Sequence, residues 1–378
     1  MSNHKIVILG DICPDNDYRN LFDTKEYGAF SPEVARTLQD AELAIGNLEC
    51  PATGNMAPIR KCGPSLRACP EDISVLKKAG LNLLSLANNH ILDYGMQGLE
   101  DTLTACRKEQ IMTVGAEMTE EKAARPCIAD VAGKKIGVLS FAEAEFNLAD
   151  GMMPGANHFD PYLSIEQVRM LKKDCDYVIV LYHGGIEYYK NPSPLLQKKC
   201  RSLAGAGADL VLCQHSHCIG TMENYEHSTI VYGQGNTVFG YRDGNPSWNE
   251  GLMVTVDLMD HNKVELKLLH AAEAEIIYAS EEENQKRLDE IHKDSENICD
   301  KAWIKNQWSI FAGQKAAMYL PMLFGRNRVF NKLNRIFHNR LVNLCYSRKK
   351  KMITMNLIRC EAHHEVLQTI LEDDFFKS

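Results

Sequence analysis

Lys5-Ile6-Val7-Ile8-Leu9-Gly10-Asp11 is an apolar run that stops on a glycine and a carboxylate. A strand that alternates so little is buried on both faces, as in the parallel sheet of an α/β protein, and its end delivers a hard oxygen donor to the sheet's carboxyl edge. The pattern recurs. Leu43 to Gly46 runs into Asn47-Leu48-Glu49, Leu81 to Leu86 into Asn88-Asn89-His90, Tyr177 to Tyr182 into His183-Gly184-Gly185, and Leu210 to Cys213 into Gln214-His215-Ser216-His217. Helix-period patterns at Glu71 to Lys78, Gly98 to Lys108, Ile165 to Asp174 and Pro194 to Ala206 separate these runs. Further strands are expected at Lys135 to Phe141, Ser228 to Tyr232, Leu252 to Asp257 and Lys263 to Leu269. Alternating strands and helices, with polar chemistry gathered at strand ends, predict an α/β protein carrying its site along one sheet edge.

The 378 residues suffice for two domains, or for one large α/β domain with an appendage. With 45% hydrophobic and 24% charged residues, the composition excludes disorder, collagen-like repeats and coiled coil. No apolar run approaches the ~20 residues of a membrane helix, and the first apolar run reads as a strand, not a signal peptide. The 13 cysteines are odd in number, scattered from Cys13 to Cys360 and without a C-x-x-C pair, which predicts reduced thiols and a cytoplasmic protein. The net charge of −8 conceals an asymmetry: Leu320 to Lys351 carries nine Lys/Arg and no Asp or Glu, against 33 basic and 50 acidic residues elsewhere. That balance argues against a nucleic-acid partner. After Glu273 the chain turns charged and helix-forming (Glu281 to Cys299), then apolar and aromatic (Ala302 to Leu323), then basic. These shifts predict a boundary near residue 272, with a catalytic-type domain over 1–272 and a helical extension over 273–378.

A dinuclear hydrolytic site needs carboxylate oxygens, imidazole nitrogens and one carboxylate shared between two ions. The strand ends supply that set: Asp11 and Glu49, the amide of Asn89, and the imidazoles of His183, His215 and His217, with His90 beside Asn89. Any one of them has an ordinary alternative as a helix cap or a hydrogen-bonded histidine. Five strand ends each delivering such a residue point to one shared divalent-metal site.

The same residues carry a resemblance. Gly10-Asp11, Asn47-Leu48-Glu49, Ala87-Asn88-Asn89-His90-Ile91-Leu92-Asp93-Tyr94-Gly95, His183-Gly184-Gly185-Ile186-Glu187-Tyr188, His215-Ser216-His217 and Tyr232-Gly233-Gln234-Gly235-Asn236 resemble, in order, the motifs of the CapA family. These are the poly-γ-glutamate capsule biosynthesis proteins of the calcineurin-like metallophosphatase superfamily, and the resemblance covers about residues 5 to 257. It implies a metallophosphatase-like sandwich of two mixed sheets flanked by helices, here with a helical C-terminal extension. It implies two divalent ions (Mn, Fe or Zn), with Glu49 bridging, Asp11 and His217 on the first, and Asn89, His183 and His215 on the second. His90 would take the place of the catalytic imidazole, with Asp93 either orienting it or capping the following helix. Three departures stand out. Cys13 occupies the place of a superfamily histidine, as a thiolate ligand or a small apolar residue. Gly184 replaces a tryptophan and so removes an aromatic wall. Gln234 and Thr237 alter the usual string around Asn236.

Arg60, Lys61 and Arg67, on a loop with Gly63, are candidate cations for an anionic substrate; Glu187 and Tyr188 beside His183 are candidate substrate contacts. An ordinary solvated loop and a surface ion pair are the alternatives. The basic stretch (Arg326, Arg328, Lys332, Arg335, Arg340, Arg348 to Lys351) interleaves with apolar residues at three and four, which predicts an amphipathic helix over about Met322 to Leu344. Such a helix lies on an anionic bilayer, at the inner membrane face, or packs on its own domain. The resemblance implies a phosphoesterase-like enzyme in the synthesis of an extracellular polymer. Its rival is a non-hydrolytic accessory subunit that binds an anionic polymer or a partner ligase of capsule synthesis.

Overall fold

The computed structural model describes residues 5–14, 18–272, 275–323, 328–337, 340–345, 347–360, 362–364, 366–367 and 371. They fall into two compact units, Met1–Lys305 and Asn306–Ser378.

The first unit is built on two large sheets. One has eight strands in the order Ile276–Tyr278, Lys263–Ala271, Glu250–Asp257, Lys5–Ile12, Leu43–Leu48, Leu83–Ser85 and Met112–Val114, with Asn236–Val238 pairing beside the end of Lys5–Ile12. The last four strands of that order run parallel, and the hairpin side is antiparallel. The other has six strands in the order Met222–Tyr225, Ser228–Val231, Leu210–Gln214, Tyr177–His183, Lys134–Ala142 and Cys127–Val131, parallel in the middle with an antiparallel partner at each edge.

Alternation along the strands decides which face meets what. Ile6 and Ile8 share one apolar cluster with Ile45, Ile179, Leu181 and Leu212, so the sheets pack face to face. Val7 and Leu9 turn the other way, onto Leu38, Leu76, Leu99 and Leu103 of the helices Pro32–Asp40, Asp72–Ala79 and Gly95–Lys108. Val178, Val180 and Val211 meet Val168, Leu171, Leu196 and Leu203 of the helices Leu163–Asp174 and Pro194–Gly205. The result is the expected two-sheet α/β sandwich with helices outside. Two of its helices start as the sequence dictates: Ser31 and Ser193 cap them by accepting from the Val34 and Leu196 N–H, each ahead of a proline in the first turn.

The first unit runs past the boundary expected at 272. Strand Ile276–Tyr278 extends the eight-stranded sheet, Ile291 of the helix Glu281–Ser295 enters the cluster between the sheets, and Ile298 and Ile304 join the outer core. The charged composition of 281–299 conceals these buried isoleucines, which tie the segment to the sandwich.

In the second unit the basic stretch is not one helix over 322–344. Helix Lys301–Leu323 is followed among the described residues by Arg328–Ile336, a turn at Phe337, then Arg340–Cys345 and Arg348–Arg359; residues 324–327 and 338–339 lie outside the described residues. Among the described residues no helix is long and apolar enough to cross a membrane.

Candidate metal centre

Every ligand predicted from the strand ends arrives at one place. Glu49, His183 and His215 form one group whose ligand atoms lie within 4.8 Å of one another, and Asp11, Glu49 and His217 form a second. Glu49 belongs to both, as a bridging carboxylate must. His183 Nε2 is 3.5 Å and His217 Nε2 3.9 Å from Glu49 Oε1, and Asn89 Oδ1 is 3.0 Å from His183 Nε2. Cys13 is buried, lines the cavity over the centre and belongs to neither group among the described residues.

Side chains that the sequence reading left without a role orient this set. Asn47 Nδ2 donates to Asp11 Oδ1 at 2.8 Å and lies 3.2 Å from His183 Nδ1, so one amide braces a donor from each group. Asn236 Oδ1 sits 2.9 Å from His217 Nδ1, and its own amide donates to the Trp248 carbonyl. Asn47 pairs with Asp11 in the sheet register, as does Asn236. The i, i+2 spacing of Asn47 and Glu49 is the signal that would have flagged the first brace.

The backbone is distorted to make this convergence. His215 and His217 hold φ of 87° and 51°, in the region that favours glycine, and the His215 N–H donates to Asp11 Oδ2 at 3.0 Å. Gly10 is required for another reason: a Cβ there would come within 2.4 Å of the Gly235 carbonyl oxygen, so only glycine lets the two loops close on Asp11.

The donor set suits a divalent ion. Both Glu49 oxygens and His215 Nδ1 are buried without a hydrogen-bond partner, although buried polar atoms are nearly always paired. Burial keeps the imidazoles neutral, as ligands must be, lowering His183 to about 4 and His215 and His217 to about 3. Burial, with the neighbouring Glu49 charge, pushes Asp11 up to about 8, and burial pushes Glu49 up to about 8. A cation between the two carboxylates favours their ionised forms and reverses that shift.

A cavity of about 800 Å³ opens over the centre, and Asn89 and His217 line it together with His90. Asp93 lies beneath, buried; its Oδ2 accepts from His90 Nδ1 at 2.7 Å and from the Leu66 N–H at 2.6 Å. The helix Gly95–Lys108 has no side-chain cap, so Asp93 orients the imidazole and does not cap. Glu187 and Tyr188 line the cavity; burial and the Glu145 charge raise the Glu187 carboxyl. Of the three loop cations only Lys61 lines it. Arg60 is exposed, and Arg67 donates to the Thr53 carbonyl at 2.9 Å.

Aromatic rings line the cavity beside His217. Phe239 and Trp248 stand 4.6 and 4.9 Å from the His217 ring, centroid to centroid, and Tyr188 stacks on Trp248. The Arg242 guanidinium lies 3.1 Å from the Trp248 ring centroid, a cation fixed at the cavity rim. Gly184 itself makes room for Glu143, whose Cγ would lie 2.5 Å from a Cβ there. Glu143 accepts from Tyr182, Lys199 and the Gly185 N–H; burial works to raise its carboxyl, and Lys199 holds it below the usual range. Sequence reading missed Glu143, Arg242, Phe239 and Trp248 because their roles depend on contacts between distant segments.

The model of the family described as bacterial capsule synthesis protein PGA_cap matches residues 5–241. The chain is 30% identical over 236 residues to the PGA biosynthesis protein CapA of Bacillus subtilis, covering 61% of this chain and 62% of that one. It is 27% identical over 243 residues to the capsule biosynthesis protein CapA of Bacillus anthracis, covering 62% and 59%. A probable polyglutamine synthesis accessory protein of Mycobacterium tuberculosis is 27% identical over 247 residues, covering 60% and 65%. The chain thus spans about three fifths of the length of the two CapA relatives. Among solved structures, a 5'-nucleotidase precursor from Thermus thermophilus superposes with a TM-score of 0.44 at 14% identity, over 76% of this chain and 58% of that one. With the family model matching well over half its length, the chain belongs to the bacterial capsule synthesis protein family PGA_cap.

Proposed function

We propose that the chain is a metal-dependent, phosphoesterase-like hydrolase serving biosynthesis of a capsule of poly-γ-glutamate or another extracellular polymer. One observation carries this reading: Glu49, fully buried with neither oxygen hydrogen-bonded, is common to two ligand groups. Asp11, Glu49, Asn89, His183, His215 and His217 would hold two divalent ions, Mn, Fe or Zn, which would supply an activated water and offset negative charge on the phosphoryl oxygens. The chain's residues do the remainder. Asn47 and Asn236 keep the ligands aimed. His90, with Nδ1–H turned to Asp93, has Nε2 left to carry a proton to the leaving oxygen. Arg242 on Trp248 and the aromatic wall hold an anionic group at the rim.

A second reading, a non-hydrolytic accessory subunit that binds an anionic polymer or a partner ligase, is favoured by the likeness to the mycobacterial relative, a probable polyglutamine synthesis accessory protein. Under either reading the basic segment is the attachment element, holding a cytoplasmic protein at an anionic membrane face. Turnover of bis(4-nitrophenyl) phosphate by the full chain with Mn, Fe or Zn separates the two. The hydrolase reading expects turnover that His90→Ala lowers by about 10²- to 10⁴-fold at unchanged metal content. Absence of turnover with all three metals supports the accessory reading.

A further inference from the structure

The segment from Gly54 to Arg67 forms no helix or extended strand, yet part of it lines the cavity. What seats it is Asp93. The Ile59 N–H donates to the Asp93 carbonyl at 2.9 Å, the Leu66 N–H donates to its Oδ2, and between them Lys61 Nζ forms an ion pair with its Oδ1. The Lys61 side chain is 4% exposed and the Asp93 side chain 1%. An ammonium so buried is retained only against a well-placed anion, and this one has no second carboxylate among its described ion pairs. Lys61 Nζ is also 3.1 Å from His90 Nδ1, against 2.7 Å from that nitrogen to Asp93 Oδ2. One ring nitrogen cannot both donate to Asp93 and accept from Lys61. The shorter contact goes to the carboxylate, so the ring donates to Asp93 Oδ2 while the ammonium is held by its ion pair with Asp93 Oδ1 and packs against the imidazole edge.

We propose that Lys61 is a positioning residue: it fixes Asp93, and through Asp93 the ring of His90, so that seating of the 60–67 segment and orientation of the proton donor are one arrangement. Lys61 therefore acts on the reaction without touching substrate, unlike a cation that binds the substrate directly. The inference rests on the hydrolase reading for its kinetic consequence and on geometry alone for its structural one.

The test uses the full chain loaded with Mn. Lys61→Met is expected to lower kcat on bis(4-nitrophenyl) phosphate by about 10- to 100-fold, the range for losing a supporting partner, with KM changed less than about twofold. Asp93→Asn should do the same, and the double variant should match Asp93→Asn if Lys61 acts through Asp93. The double variant leaves no lone buried charge and so guards against a folding failure of Lys61→Met. An increase in KM at constant kcat would put the ammonium on the substrate, and multiplying effects would give it an independent role; either overturns the proposal. A second readout needs no turnover. In proton NMR of the metal-free chain, the Nδ1–H resonance of His90, assigned by its loss in His90→Gln, should shift or vanish in Lys61→Met at unchanged melting temperature. An unmoved resonance sinks the positioning role. A parent chain without turnover would sink the hydrolase reading and leave the resonance to decide on Lys61.

Discussion

The metal-centre unit and the C-terminal unit expose opposite ways of using apolar residues. In the first, strands such as Leu43–Leu48, Tyr177–His183 and Leu210–Gln214 are buried at every position, so the only freedom left to their ends is to deliver side chains inward. In the second, Val329, Leu333, Ile336 and Leu344 are exposed, alongside Lys332, Arg335 and Arg340. A rigid core fixes donors to the tolerance that metal coordination demands, whereas an exposed amphipathic face is a surface that works by contact area and charge. Substitutions in the two regions should therefore be read by different instruments, metal content in one and surface binding in the other.

The largest effect is expected at Glu49. Because it belongs to both ligand groups, Glu49→Gln should remove both ions together, where His215→Ala, in one group only, should leave the other. Metal analysis by mass spectrometry after gel filtration checks this. Full metal retention by Glu49→Gln would dissolve the contrast between a core-fixed site and a surface.

Next in size is the coupling of metal to protons. With Asp11 and Glu49 near 8, both are largely protonated in the metal-free chain at pH 7, so cation binding must expel protons. Apparent affinity should rise as pH goes from 6 to 8 and level off above. The sign for stability runs the other way. Raised carboxyl values stabilise the metal-free fold at low pH and lose that contribution as pH rises toward 8, while the lowered imidazoles contribute fully above their ordinary value of 6.5. Between about 6.5 and 8 only the carboxylate trend remains, so the melting temperature of the metal-free chain should fall with pH, and saturating Mn should abolish the fall. Calorimetry in buffers of different ionisation enthalpy reads the expelled protons directly. A buffer-independent binding enthalpy would mean that the carboxylates are already ionised.

The smallest effect belongs to the second unit. Lys332→Glu, Arg335→Glu and Arg340→Glu together should abolish co-sedimentation with phosphatidylserine vesicles at low salt, each cation having contributed roughly 1 kcal/mol near the membrane. Metal content and turnover should not change. Loss of metal in that variant would erase the distinction between the regions, and unchanged sedimentation would remove the membrane from the proposal.

The same contrast explains what could be read from residue order. Candidate donors at the ends of apolar runs were legible because burial on both faces leaves a distinctive pattern, and Asp11, Glu49, Asn89, His183, His215 and His217 lie together in the structure. Lys61 was legible as a cation near the site, but its burial against Asp93 was not, because loop geometry carries no period. Trp248 and Arg242 reach the rim from the loop that follows Asn236, whose course carries no period. The boundary was misjudged because Ile276, Ile291, Ile298 and Ile304 are spaced too sparsely among charges to announce a core face.

The central claim is that Glu49 bridges two ions. It is tested most directly by anomalous X-ray scattering at the manganese edge from crystals of the full chain grown with Mn. The account predicts two peaks about 3.5–4 Å apart on either side of Glu49. The peak at Asp11 and His217 should be the weaker, since its described ligand group lacks the extra donor that Asn89 offers the other. A single peak remote from Glu49, or Glu49 hydrogen-bonded to protein with no peak beside it, would contradict the account.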